Sequence, residues 1–111
     1  LSSTNLLLTG KNCIVTGANS GIGFVVAKEL SRKGGSVVML CRDQAKGDAA
    51  KKEIETATGS KLVELLTGDL SSLESVRSIA KNYLEKHDKL HVLVNNAWID
   101  NWETFAQYER A

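Results

Sequence analysis

Proline is absent from the 111 residues, where average usage would supply about five. No segment is low in complexity, and no repeat recurs at a period of 20 to 50 residues. Nothing therefore reads as a linker, and the expectation is one folded unit. Cysteine is scarce too. Cys13 and Cys41 both sit in apolar stretches and read as reduced core thiols, not as a disulfide framework. Neither sign of charge dominates, with 14 Lys plus Arg against 13 Asp plus Glu, so nucleic acid and anionic membrane have no electrostatic claim as the main partner. The longest apolar runs are a few residues, too short to span a membrane. Leu6-Leu7-Leu8 is likewise too short for a signal-peptide core, and Leu1 in place of Met points to a missing start. What remains is a globular composition, expected in an intracellular, cytoplasmic setting. It supports one core and no second.

Strand and helix patterns alternate along the chain. Asn12 to Thr16 is a short β-branched run closed by Gly17. From Gly21 to Lys33, Ile22, Val26 and Leu30 recur at helical spacing, and Gly34 supplies a left-handed cap. Ser36 to Cys41 holds a continuous apolar run of the kind buried on both faces of a sheet. Asp43 can cap a second helix whose inner face would be Ala50, Ile54 and Ala57, with Gly59 ending it. Lys61 to Leu66 reads as a third strand. Ser71 and Glu74 then have capping-box spacing, before a stripe of Leu73, Val76, Ile79 or Ala80, and Tyr83. His91 to Asn95 is a fourth strand. Such alternation predicts an α/β fold with a parallel sheet of four strands and three helices, covered on both faces.

The turn Thr16-Gly17-Ala18-Asn19-Ser20-Gly21-Ile22-Gly23 joins the first strand to the first helix. Gly17 permits a tight turn, while Gly21 and Gly23 remove side chains where a ligand and the sheet come close. The first amides of the helix lack internal acceptors, and with the helix dipole they favour a pyrophosphate. No Gly-Lys-Ser/Thr ending follows, which disfavours a phosphate-loop nucleotidase. At the end of the second strand, an acidic residue would bind the ribose of NAD, whereas an arginine can meet the 2′-phosphate of NADP. The sequence there is Cys41-Arg42-Asp43. Arg42 suits a dianionic phosphate through charge-assisted hydrogen bonds. Asp43 serves either as a ribose ligand or as a helix cap. The reading favours NADP(H) over NAD(H).

Residues Thr16 to Gly23 resemble the Thr-Gly-x-x-x-Gly-x-Gly turn of the short-chain dehydrogenase/reductase family. Asp69-Leu70 matches that family's adenine-contacting acidic position, and Asn95-Asn96-Ala97 matches three of the four residues of its Asn-Asn-Ala-Gly motif. Leu40 to Asp43 and Gly68 to Ser72 are similar to the retinol-dehydrogenase-like branch, which usually prefers NADP(H). The resemblance covers roughly residues 8 to 97. It implies a Rossmann-like sheet of order 3-2-1-4, with residues 1–97 as the cofactor-binding half domain and 98–111 as a divergent tail. It further implies that Gly17, Asn19, Ser20, Gly21, Ile22 and Gly23 line the pyrophosphate and that Arg42 meets the 2′-phosphate. Asp69 and Leu70 would hold the adenine, Asn96 and Ala97 would border the adenosine, and Asn95 would tie the fourth strand to its neighbour.

The sequence departs from the family at Trp98, where the motif has glycine; an indole there would crowd the cofactor. The family transfers hydride with a Tyr-x-x-x-Lys pair and a serine. Tyr108 comes 12 residues after Asn96, too soon, and its lysine would fall at position 112, one past the last residue. These 111 residues alone are thus expected to be inactive, the cofactor-binding portion of an oxidoreductase cut short by truncation or an alternative transcript. The alternatives are a nucleotide-binding module acting on a full-length partner, or an interaction product. In the latter the exposed fourth-strand edge, with Trp98, Trp102 and Phe105 either covering it or driving association, captures another chain. His87 and His91 read as solvated side chains without a third metal ligand.

Overall fold

The computed structural model describes residues 6–19 and 21–96. Four strands, β1 (Asn12–Thr16), β2 (Ser36–Cys41), β3 (Val63–Thr67) and β4 (Val92–Val94), alternate with helices α1 (Gly21–Arg32), α2 (Gln44–Thr58) and α3 (Leu73–Lys86). All strand pairs are parallel and the order is β3-β2-β1-β4. Cys13 stands opposite Val37 on one side and Val92 on the other, and Val37 opposite Val63. The α/β fold expected from the alternation, and the Rossmann-like strand order implied by the resemblance, are those observed.

Successive strand residues point to opposite faces, and both faces are dry. Cys13, Val15, Val37 and Met39 pack with Ala27 of α1 and Ala50 and Ile54 of α2. Ile14, Val38 and Leu40 pack with Val76, Ile79, Ala80 and Tyr83 of α3. This is why β2 reads as an unbroken apolar run. Both cysteines are buried and unpaired, and burial raises the pKa of each thiol. Among the described residues no helix is long and apolar enough to cross a membrane.

Helix ends follow the sequence signals with one exception. Gly34, at φ +92°, and Gly35 close α1 by donating to Ser31 and Leu30 carbonyls at 3.1 and 3.0 Å. Asp43 caps α2, its carboxylate accepting from the Lys46 amide at 2.9 Å, and Gly59 ends it with a left-handed residue. The cap of α3 is Ser72, whose hydroxyl accepts from the Ser75 amide, and not Ser71 of the expected capping box. Ser71 is taken by Asp69 instead.

Three further expectations are corrected. The buried line of α1 is Gly23, Ala27 and Ser31; Val26 and Leu30 pack only at its border, and Ile22 is 73% exposed. Small residues win here because α1 lies close against the sheet. Ala57 is exposed, and Gly47 joins Ala50 and Ile54 on the inner face of α2. A Cβ on Gly47 would come within 2.8 Å of a Leu65 methyl, so this helix too needs a flat contact. The third strand starts two residues later than expected, at Val63. Of the two histidines expected to be solvated, His91 is exposed and His87 is half-buried. His87 is 2.7 Å from the Glu64 carboxylate and stacks on Tyr83, while His91 Nδ1 accepts from the Asn12 amide at 2.9 Å.

Candidate functional site

The carboxyl ends of the strands are tied together by their own turns. The Gly17 amide donates to the Leu40 carbonyl at 2.9 Å, and the Gly68 amide to the Cys41 carbonyl at 3.1 Å. On the other side, Thr16 links β1 to β4. Its hydroxyl accepts from the Asn96 amide at 2.9 Å and lies 3.4 Å from both the Val94 carbonyl and the Asn95 side-chain oxygen. The Asn96 side chain donates to the Gly17 carbonyl at 3.3 Å. Asn95 thus helps tie the fourth strand to the first. The order 3-2-1-4 reverses direction between β1 and β4, the place where open α/β sheets form their ligand crevice.

Glycine geometry shapes the turn. Gly17 and Gly21 have φ of +61° and +58°, a region that other residues rarely adopt. A Cβ on Gly21 would meet nothing within 4 Å, so the backbone there faces open space that a ligand can approach. Gly23 is the opposite case. A Cβ on it would stand 2.2 Å from the Gly17 carbonyl oxygen and 2.8 Å from Asn96 Nδ2. One glycine opens the turn, and the other lets helix, turn and fourth strand meet.

Beyond the turn lies a cleft of about 470 Å³ over the end of β2. Gly17 and Asn19 form one wall, and Asp69, Leu70 and Ser71 the other. Leu40, Cys41, Arg42, Asp43 and Lys46 make up the rest of the lining. Burial pushes the Cys41 thiol up, partly offset by the backbone amides of Ala18 and Asn19. Arg42 is 79% exposed and 4.0 Å from the Asp69 carboxylate. Asp69 accepts from both the hydroxyl and the amide of Ser71, at 2.7 and 3.0 Å, and its own amide donates to Ser75 at 2.8 Å. The Ser71 bonds, and more weakly the Arg42 charge, hold its carboxyl below the usual aspartate value. The result is an anionic acceptor fixed beside the apolar Leu70.

Of the sequence-predicted set, the cleft gathers Gly17, Asn19, Arg42, Asp69 and Leu70. Gly21, Gly23 and Asn96 form its glycine corner without lining the cleft, and exposed Ile22 sits beside them. Ser20, Ala97, Trp98 and the tail lie outside the described residues. Sequence reasoning missed three contributors: Thr16, which secures the β4 end; Ser71, which orients Asp69; and Lys46, which lines the cleft. Among the described residues no cluster of three or more His, Cys, Asp or Glu could hold a metal.

Comparison with known proteins fits this geometry. Residues 11–111 match the family model described as short chain dehydrogenase. Human retinol dehydrogenase 11 is 45% identical over 97 residues, 87% of this chain and 30% of that protein. Human retinol dehydrogenase 13 is 40% identical over 105 residues, 92% of this chain and 32% of that protein. The chain therefore spans about a third of the length of these relatives. A metagenomic short-chain oxidoreductase solved in complex with NADP superposes with a TM-score of 0.76 at 38% identity, over 83% of this chain and 41% of that one. A short chain dehydrogenase from Shigella flexneri gives 0.78 at 27%, over 84% and 37%. The matched family model, the parallel sheet in 3-2-1-4 order and the glycine corner at its reversal agree, and the chain belongs to the short-chain dehydrogenase family.

Proposed function

We propose that these residues form the NADP(H)-binding portion of an oxidoreductase that transfers a hydride between NADP(H) and an alcohol or carbonyl of retinoid- or steroid-like character. The observation that carries the reading is one cleft joining the glycine turn, Arg42 at the end of β2, and Asp69 with Leu70. Each part fits a piece of the dinucleotide. The open face at Gly21 and the start of α1 suit the pyrophosphate, Arg42 the 2′-phosphate, and Asp69 the adenine amino group. When bound, the cofactor supplies or accepts the hydride; this chain's residues bind and orient it. Relatives named as retinol dehydrogenases support the substrate class.

No Tyr-x-x-x-Lys pair occurs in the 111 residues, since Tyr83 is followed four residues later by His87. Calorimetric titration of the 111-residue chain with NADPH and then NADH tests the reading. Micromolar NADPH binding with weaker NADH binding is the expected result. No heat from either cofactor with a folded chain would overturn it.

A second reading, a nucleotide-binding or interaction fragment that acts on another chain, draws on β4. Among the described residues this strand pairs only with β1, and Leu93 is exposed. Sedimentation that depends on concentration would favour it.

A further inference from the structure

We propose that Ser71 is a phosphorylation site, and that a phosphate there closes the cleft to dinucleotide. The inference rests on the cofactor reading above and adds regulation to that site.

Ser71 and Glu74 stand at capping-box spacing, yet Ser72 caps α3 and the Ser71 hydroxyl turns to Asp69. The spacing is therefore not used at the helix end. It has a second chemical meaning, because an acidic side chain three residues after a hydroxyl is what acidophilic serine kinases read. Of all the serines and threonines in the sequence, only Ser71 has an aspartate or glutamate at that distance. Ser71 and Glu74 are both exposed. The neighbouring hydroxyls are held inward: Ser72 accepts from the Ser75 amide and Ser75 from the Asp69 amide, and both serines are half-buried.

Ser71 also lines the cleft. Its hydroxyl and amide donate to one oxygen of Asp69, at 2.7 and 3.0 Å, and Arg42 lies 4.0 Å from the other. Transfer of the γ-phosphoryl group of ATP forms a bond from Ser71 Oγ to phosphorus, breaks the bond to the β–γ bridging oxygen and releases ADP. The hydroxyl proton passes to the kinase's catalytic carboxylate. Ser71 then has no hydroxyl proton to donate, and a group of about −1.5 to −2 charge stands beside the Asp69 carboxylate. The two anions repel each other. Arg42 gains a phosphate with which it forms short, bidentate, charge-assisted bonds. Asp69 is thereby turned from the adenine position, and Arg42 is drawn from the 2′-phosphate. The modification acts as a tethered competitor for the cofactor's own phosphate. It sits one residue before the α3 cap, at the positive end of that helix, so the helix itself tolerates the added charge.

The test uses the full 111-residue chain as wild type, Ser71→Ala and Glu74→Gln. Each is incubated with ATP, magnesium and an acidophilic kinase of the casein-kinase type, and the modified residue is located by mass spectrometry. NADPH and NADH are titrated before and after, with circular dichroism to follow helix content. The expected result is one phosphate on Ser71, NADPH affinity weaker by about tenfold or more, NADH weakened less, and recovery after phosphatase treatment. Glu74→Gln should bind NADPH as the wild type does and accept phosphate several-fold more slowly, and Ser71→Ala should accept none. Phosphate on another residue, no incorporation into the folded wild type, or unchanged NADPH affinity of the modified chain would overturn the proposal while leaving the cofactor reading intact. Affinity lost only together with helix signal would overturn it as well. An unmodified wild type that binds neither dinucleotide would overturn both.

Discussion

At the scale of single residues, two positions control the cleft by opposite means. Gly23 does so through absence. Alanine at this helical position would gain about 1 kcal/mol of helix propensity, but its Cβ would sit 2.2 Å from a backbone carbonyl that cannot swing aside. Overpacking of this kind costs about 1–3 kcal/mol, so the clash should win. Gly23→Ala is expected to lower the melting temperature and to weaken NADPH binding together; an unchanged or raised melting temperature would contradict the close contact. Asp69 acts through its charge. Its folded pKa lies below the unfolded value, so its stabilisation is fully present above the ordinary aspartate range near pH 4 and fades as pH falls through the folded value. Removing the Ser71 hydroxyl shrinks that shift. The stability difference between wild type and Ser71→Ala, measured by urea unfolding, should therefore narrow on acidification below about pH 4. A difference that holds constant would assign Ser71 some other role.

Between neighbouring serines, the element scale separates two jobs that sequence spacing merges. Ser72 caps α3, and its loss should cost about 1 kcal/mol with a visible drop in helix stability by circular dichroism. Ser71→Ala should leave the helix end intact. The capping-box pattern chose Ser71 because Glu74 stands three residues on, but the tight Gly68–Ser72 turn had already claimed that hydroxyl for Asp69. Much else at this scale was legible. Asp43, Gly34 and Gly59 carry local chemistry that only a helix end satisfies, and Val37 to Leu40 can be apolar without a break only if both faces are covered. The buried side of α1 was legible only in part: the glycine turn marked Gly23 as a close approach to the sheet, but hydropathy favoured Ile22 over the small residues Ala27 and Ser31 that continue the contact. His87 was hidden for a related reason: its partner Glu64 lies 23 residues away on the outer strand. The glycine turn and Arg42 could be read locally; Lys46 became a cleft residue only once the first turn of α2 was placed beside the end of β2.

For the molecule as a whole, the sheet is the shared wall of two apolar layers. Ile54 is fully buried in one and Ile79 nearly so in the other. Replacing either by alanine should cost about 2–5 kcal/mol, out of the roughly 5–15 kcal/mol typical of a domain. Because β1 and β2 contribute to both layers, either loss should propagate across the sheet. Thermal unfolding followed by far-ultraviolet dichroism and by tyrosine fluorescence should remain a single coincident transition in each variant. Separate transitions would mean that the layers stand independently.

The pairing of β1 with β2 has one more consequence. Cys13 is opposite Val37, so Cys41 lies four residues further along the neighbouring strand, an offset of roughly 13 Å at 3.3 Å per residue. A disulfide requires Cα atoms within about 7 Å. The two thiols therefore cannot be cross-linked while the register holds, and oxidant can join them only in a chain that has already come apart. A bond between Cys13 and Cys41, detected by mass spectrometry, would thus serve as a chemical record of unfolding.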